Sequence, residues 1–275
     1  MMEDEIKRKA KEFGVPVSTV EKYYAISWML YGLWKSGLWK QLAFKGGTCI
    51  KKAYIENYRF SEDLDYTLTG TKDTETLKRL LGRAVDFANE GPVEFMEPLV
   101  EERFGVKHHP GELLGFQVKI PFRLLSRTGV PARIKMDVTL EQYERILLPL
   151  QDRPIIHDYS DFPRFQMVRV KAYSLEEIFA EKVRALFQRT RPRDLYDVWM
   201  LGESVDLRLV LGILPEKFAN KGVKPDLEQL KNRREYYAMA WERSLGHQLR
   251  KLPEFEKVWT GVIKSIEGLI EEIED

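Results

Sequence analysis

Asp63 and Asp65 are the first residues in this chain whose type and spacing suggest chemistry. In an extended segment, side chains two apart point to the same side, so these carboxylates would stand together with Leu64 facing the other way. Two carboxylates held close repel one another unless a cation sits between them. A hard ion such as Mg²⁺ accepts such oxygens and completes its shell with substrate phosphates. The same Asp-x-Asp also fits an exposed acidic turn at a strand entrance. Asp137 lies in the strand-like run Arg133–Leu140, where an aspartate is unfavourable and asks for a partner. It is a third carboxylate for the same ion if its strand neighbours that of Asp65, and a solvent-facing residue if not.

Two further clusters bear on phosphate. Lys45-Gly46-Gly47-Thr48 precedes a stretch with helical character, Cys49–Tyr54. Paired glycines let the backbone turn sharply and approach a ligand, amides at a helix start attract phosphate, and Thr48 can add a hydroxyl. Paired glycines before a helix are more often a simple tight turn, and the spacing is not that of a Walker A loop. From Lys182 to Arg193 there are five basic residues and no acid. Lys182 and Arg189 are seven apart and share a helix face, and Asp194 and Asp197 share a face of the next helix. Such a helix suits a triphosphate or an RNA backbone, or a salt-bridge lattice between two helices.

Elements must hold these groups in place. Residues 3–12 read as a helix, and a second runs from Ser18 to about Lys35, opened by the capping box Ser18-x-x-Glu21. Asp65–Thr69, Gly115–Phe122 and Arg133–Leu140 read as strands, and Thr74–Asn89 as a helix. Beyond Lys171 the strand signal fades. Ser174-x-x-Glu177 opens a helix to about Arg189, Pro192 introduces another, and 206–219, 226–245 and 254–273 are helical in pattern. The expected organisation is a mixed α/β domain over 1–170 and a helical domain over 171–275.

Composition narrows the possible functions. The chain has 275 residues, 44% of them hydrophobic and 12% aromatic, which argues against disorder. With 44 basic against 43 acidic residues the net charge is +1, so a nucleic acid would have to be held by a local patch, such as Lys182–Arg193 or Lys231–Arg234. Cys49 is the lone cysteine, which fits a reducing cytoplasm. The uncharged run Tyr23–Trp34 falls short of the roughly 18–20 apolar residues of a membrane span, and the acidic start Glu3-Asp4-Glu5 is unlike a signal peptide.

Taken together and in this order, Phe44-Lys45-Gly46-Gly47-Thr48, Arg59-Phe60-Ser61-Glu62-Asp63-Leu64-Asp65, Lys182 and Arg193-Asp194-Leu195-Tyr196-Asp197 closely resemble the AbiEii/AbiGii-type toxin family, nucleotidyltransferase-like proteins of the DNA polymerase β-type superfamily. The likeness runs from Glu21 to about Leu201. It implies an α/β (α+β) fold, a nucleotidyltransferase-like mixed sheet flanked by helices, followed by a helical C-terminal domain that completes the active site. It implies that Gly46, Gly47 and Thr48 touch nucleotide phosphates, with Lys182 and, beside it, Arg189 on the triphosphate. Asp63, Asp65 and Asp137 would hold Mg²⁺, two ions in all, and Asp194 would be the acid of the last motif, with Asp197 beside it. The implied reaction moves NMP from an NTP to an acceptor such as the tRNA 3′ end, another RNA or a protein, in a toxin–antitoxin or phage-defence setting with a cognate antitoxin.

A different class competes. Residues 10–24 have the helix, Gly14 turn and helix of a DNA-binding unit, which would make the chain a DNA-binding regulator or adaptor with a degenerate nucleotide site. Other conspicuous residues read as structural: His108-His109 as part of a turn, His157 and His247 without evident partners, and Cys49 as a small buried residue.

Overall fold

A computed structural model describes residues 2–70, 73–106, 109–125 and 128–274; His108 lies outside them. The chain divides into two units, one of residues 1–144 and 150–173 and one of residues 145–149 and 174–275.

The first unit begins with helices α1 (Met2–Phe13) and α2 (Val17–Lys35), joined through Gly14 at φ +62°. Strand β1 (Leu42–Lys45) runs straight into the short helix α3 (Gly46–Cys49) and a π-helical segment, Ile50–Tyr54. Strand β2 (Asp63–Leu68), helix α4 (Thr74–Ala88) and strands β3 (Glu94–Phe95), β4 (Leu99–Phe104), β5 (Leu113–Arg123), β6 (Ala132–Leu140), β7 (Gln151–Pro154) and β8 (Arg169–Ala172) follow. Among the described residues the strands form one mixed sheet in the order β3-β5-β6-β2-β1-β8-β7, with β4 also on β5. The pairs β2–β6 and β1–β8 are parallel and the others antiparallel.

Strand alternation gives this sheet two unlike faces. Phe44, Leu64, Tyr66, Phe116, Val118, Ile134, Met136 and Val138 are buried on one, within the unit's apolar core. Lys45, Asp63, Asp65, Gln117, Lys119, Lys135 and Asp137 alternate with them and stand on the other. Helix α4 is capped by Asp73, which accepts from the Thr76 amide at 2.8 Å. It packs on α2 so closely that a Cβ at Gly32 would fall 2.1 Å from the Ala84 carbonyl oxygen.

Two expectations for the N-terminal helices change. Helix α2 starts one residue early with Pro16 at its N-cap, whose φ of −57° is already set by the ring. Ser18 therefore falls inside the first turn, and Glu21 instead accepts from the Leu125 amide at 2.9 Å. The helix–turn–helix outline is present, but α2 is buried around most of its girth, from Thr19 and Val20 through Tyr23–Leu30 to Leu33. A helix that reads a DNA groove must offer a free face, so α2 is a core helix and the DNA-binding reading loses its recognition element.

The second unit is helical: α5 (Leu175–Gln188), α6 (Pro192–Leu201), α7 (Leu207–Ala219), α8 (Leu227–Lys231), α9 (Arg234–Leu245) and α10 (Phe255–Glu274). Ser174 caps α5 as expected, accepting from the Glu177 amide at 3.2 Å. Glu177 does not reach back; its buried carboxylate takes the Leu147 and Leu148 amides at 2.8 and 3.0 Å and Lys217 at 2.7 Å, tying the short 145–149 segment to the helices. The single helix expected over 226–245 breaks between α8 and α9. At the break Arg233 donates to the Leu186 and Phe187 carbonyls at 3.2 Å and so satisfies the end of α5. Lys231 pairs with Glu267, and Arg234 with Glu235 and Glu256. Each of the three cations of the run 231–234 thus has a partner within the chain. Among the described residues no helix is long and apolar enough to cross a membrane.

Candidate active site

The polar face of the sheet carries a row of side chains. Lys45 on β1 is the register partner of Asp65 on β2, Asp65 of Asp137 on β6, and Asp137 of Gln117 on β5. Register partners point to the same side, so the row reads cation, carboxylate, carboxylate, amide across four strands. Asp63 lies two residues before Asp65 on the same face, opposite Lys135. The strand carrying Asp137 is therefore the neighbour of the strand carrying Asp65.

The glycine turn lies directly against this row. Gly46 has φ +76°, and a Cβ there would sit 2.4 Å from Asp65 Oδ2. A side chain at 46 would thus meet both a strained backbone and the carboxylate. At Gly47 a Cβ would fall 2.7 Å from Arg59 Nη2 and 3.0 Å from Ser61 Oγ, so the motif before Asp63 folds back over the turn. Thr48 is buried, and its hydroxyl donates to the Asp63 carbonyl at 2.5 Å. That bond fixes the Asp63 backbone to the turn, so Thr48 acts on the carboxylate strand from inside.

Several partners of the row had no signal of their own in the sequence. The Lys45 ammonium is nearly buried, 3.6 Å from Glu144 Oε2 and 5.5 Å from the centre of the Tyr173 ring. Gln117 donates to Asp137 Oδ1 at 3.4 Å, and Arg103 Nη1 lies 4.0 Å from the same oxygen. Among the described residues no three His, Cys, Asp or Glu side chains are gathered as a metal cage. The donor chemistry nonetheless suits a hard divalent ion: Asp65 and Asp137 are carboxylates in register, with Asp63 beside them on one face. Cys49 does not compete as a ligand or nucleophile, because burial pushes its thiol far above the ordinary range.

In the second unit Lys182 lies 2.8 Å from Asp194 Oδ1 and 2.7 Å from Asp197 Oδ2. Arg189 grips Asp194 as a fork, Nε to Oδ2 at 2.7 Å and Nη2 to Oδ1 at 3.2 Å. Burial would raise the Asp194 carboxyl, but Lys182 and Arg189 outweigh it and hold it well below the usual carboxylate range. Asp194 is therefore a fixed anion that organises two cations. Arg189 is the member with surface to spare, 45% exposed.

A mixed sheet with paired aspartates on its polar face, a glycine turn against them and flanking helices has the build of a nucleotidyltransferase. The structure is similar to MenT4, a nucleotidyltransferase toxin from Mycobacterium tuberculosis H37Rv, with a TM-score of 0.69 and 18% identity over 98% of this chain and 90% of that one. It also matches an antigenic nucleotidyltransferase-like protein from Paracoccidioides brasiliensis, over 74% of this chain and 96% of that one at 15% identity, but with a TM-score of 0.34, too low to carry an argument. A search of curated proteins returned no match. The family model described as nucleotidyl transferase AbiEii toxin, type IV TA system, matches residues 28–261. The chain belongs to this family and is a nucleotidyltransferase toxin of the type IV toxin–antitoxin class. The family implies an NTP substrate and a cognate antitoxin.

Proposed function

We propose that the chain transfers a nucleoside monophosphate from an NTP to the 3′ end of an RNA, tRNA foremost, in a Mg²⁺-dependent reaction in the cytoplasm. The acceptor hydroxyl oxygen forms a bond to the α-phosphorus, the bond to the β-phosphate bridge breaks, pyrophosphate leaves with that electron pair, and the hydroxyl proton passes to solvent. The observation that carries this reading is the register of Asp65 with Asp137 beside the Gly46 turn.

Asp63, Asp65 and Asp137 are the residues that would hold the metal. Bound Mg²⁺ would lower the pKa of the attacking hydroxyl and offset charge on the leaving phosphates. The Gly46–Gly47 backbone leaves room for a phosphate to approach the carboxylate row, and Thr48 keeps Asp63 in place. Within the helical unit, Lys182 and Arg189 are a cationic pair of a kind suited to phosphate oxygens, their charge balanced and their positions set by Asp194 and Asp197.

The test is transfer from each radiolabelled NTP to total tRNA with Mg²⁺, using the wild type and the Asp63→Ala/Asp65→Ala double variant. Label on tRNA that disappears in the double variant supports the proposal and names the nucleotide. Labelling of protein in place of tRNA keeps the nucleotidyl transfer and overturns the RNA acceptor. Equal labelling by the double variant overturns the assignment of the carboxylates.

A further inference from the structure

Arg103 reaches the carboxylate row from outside it. It sits on β4, at the edge of the sheet, and its register partner on β5 is Gly115. Gly115 is in turn the partner of Thr139 on β6. No side chain can stand at position 115, where a Cβ would fall 2.0 Å from the Val138 carbonyl oxygen. The Arg103 side chain therefore crosses β5 unobstructed. Its Nη2 donates to Thr139 Oγ1 at 3.2 Å, and its Nη1 lies 4.0 Å from Asp137 Oδ1. A register shift between Arg103 and Phe104 bends the strand at this point, a device that commonly re-aims a side chain beside a functional site.

The charge pattern along the row gives this placement meaning. Asp65 and Asp137 are flanked by a cation at each end, Lys45 on one side and Arg103 on the other. Lys45 is nearly buried between Glu144 and Tyr173. Arg103 is 43% exposed, and its contact with Asp137, at 4.0 Å, is too long for a hydrogen bond. A guanidinium has five donors in a fixed fork suited to phosphate oxygens, and here only one of them is committed to Thr139. A divalent ion arriving at Asp137 would compete with the guanidinium for the carboxylate, while a phosphate would recruit it.

We infer that Arg103 is a phosphate-contacting residue of this site, parked against Asp137 and Thr139 across the gap at Gly115 and turned to a phosphate when metal and substrate enter. The inference rests on the proposed metal-binding role of the carboxylates. The phosphate belongs either to the NTP or to the acceptor RNA, and the two are distinguished by which KM responds.

The experiment uses the full chain as wild type, Arg103→Met, Arg103→Lys and Asp137→Asn. Mn²⁺ binding is followed by calorimetry without nucleotide, and KM and kcat are measured separately for NTP and for RNA. Removing a positive charge this close to a carboxylate strengthens cation binding. Arg103→Met is therefore expected to bind Mn²⁺ roughly three- to tenfold more tightly while raising one of the two KM values by about tenfold, with a smaller change in kcat. Arg103→Lys should keep the wild-type Mn²⁺ affinity but recover only part of the KM, because it retains the charge and loses the fork. A merely structural arginine would weaken both bindings together. Unchanged or weaker Mn²⁺ binding in Arg103→Met, or two unchanged KM values, overturns the inference. Absence of Mn²⁺ binding by the wild type, or full binding by Asp137→Asn, overturns the metal reading and this inference with it.

Discussion

Asp65 and Asp137 are register partners across the parallel pair β2–β6, so two carboxylates share one face of the sheet a single strand spacing apart, about 4.8 Å. Lys45 and Arg103 offset that repulsion at its two ends. Asp65→Asn and Asp137→Asn keep the shape of each side chain and remove only its charge. Each is expected to cut transfer by about 10³ or more while leaving the far-ultraviolet circular dichroism unchanged and the melting temperature within a few degrees. Activity within tenfold of wild type in either variant would remove that aspartate from the site.

Gly46 and Gly47 are adjacent but do different things, and substitution separates them. Gly46→Ala meets φ +76° and a contact of 2.4 Å to Asp65 Oδ2. It should cost about 1–3 kcal/mol in urea unfolding and abolish transfer, because the displaced group is the carboxylate itself. Gly47→Ala meets only the outer ends of Arg59 and Ser61, which can shift, and carries no positive φ. Its stability loss should be clearly smaller, with NTP KM affected more than stability. Equal destabilisation by the two would show that the turn has no conformational demand specific to position 46.

Which parts of this arrangement were legible in the sequence follows from the range of the interactions. Period-two alternation placed Asp63 and Asp65 on one side from local pattern alone, and Arg133–Leu140 read as a strand for the same reason. That these strands are neighbours depends on a parallel pairing across some seventy residues, which no local signal encodes. Strand β4 gave no signal because nearly every residue of Leu-Val-Glu-Glu-Arg-Phe is exposed, leaving no buried face to produce alternation. Arg103 was invisible with it. Strand β1 was missed for the opposite reason, since its four residues are all buried and too few to show a period. His157, which looked isolated, is buried with Nε2 2.7 Å from Asp161 Oδ1, a pairing made by a local turn. The capping box at Ser18 failed because Pro16 starts the helix first.

Lys182 is shared by two buried carboxylates, so its removal should be structural as well as functional. In Lys182→Met, Asp194 keeps Arg189 but Asp197 loses the ammonium 2.7 Å away. Removing one partner of a buried ion pair costs about 3–5 kcal/mol, read by urea unfolding at pH 7. Because the Asp194 carboxyl is held below its unfolded value, its contribution is complete at neutral pH and is lost as pH falls below about 3.9. Wild type and Asp194→Asn should therefore differ most near pH 7 and converge in acid. A gap that persists unchanged to pH 2 would mean that packing, and not charge, supplies the stability.

Lys51 gives a pH dependence of the same sign in an alkaline window. Its ammonium donates to the Glu56 and Tyr58 carbonyls at 2.8 Å each and lies 4.3 Å from the centre of the Phe60 ring, pinning the loop that leads into the Arg59–Asp63 motif. Burial pushes its pKa down to about 8, against a small opposing pull from Glu56. In the unfolded chain the same amine titrates near 10.4. Between these values the unfolded state binds the extra proton, so stability should rise with pH, by about 1.4 kcal/mol per pH unit from this group. The useful window is pH 8 to 9.5, because the buried tyrosines Tyr24, Tyr159 and Tyr237, raised above their ordinary value, begin to favour unfolding as pH nears 10. Urea unfolding of wild type and Lys51→Met at pH 7, 8 and 9.5 tests this. The variant should lose about 1.4 kcal/mol per unit of the slope above pH 8 while Lys52, also driven down by burial, keeps its share. The same slope in both proteins would show that Lys51 stays protonated throughout, with the two carbonyls sufficient to hold its charge.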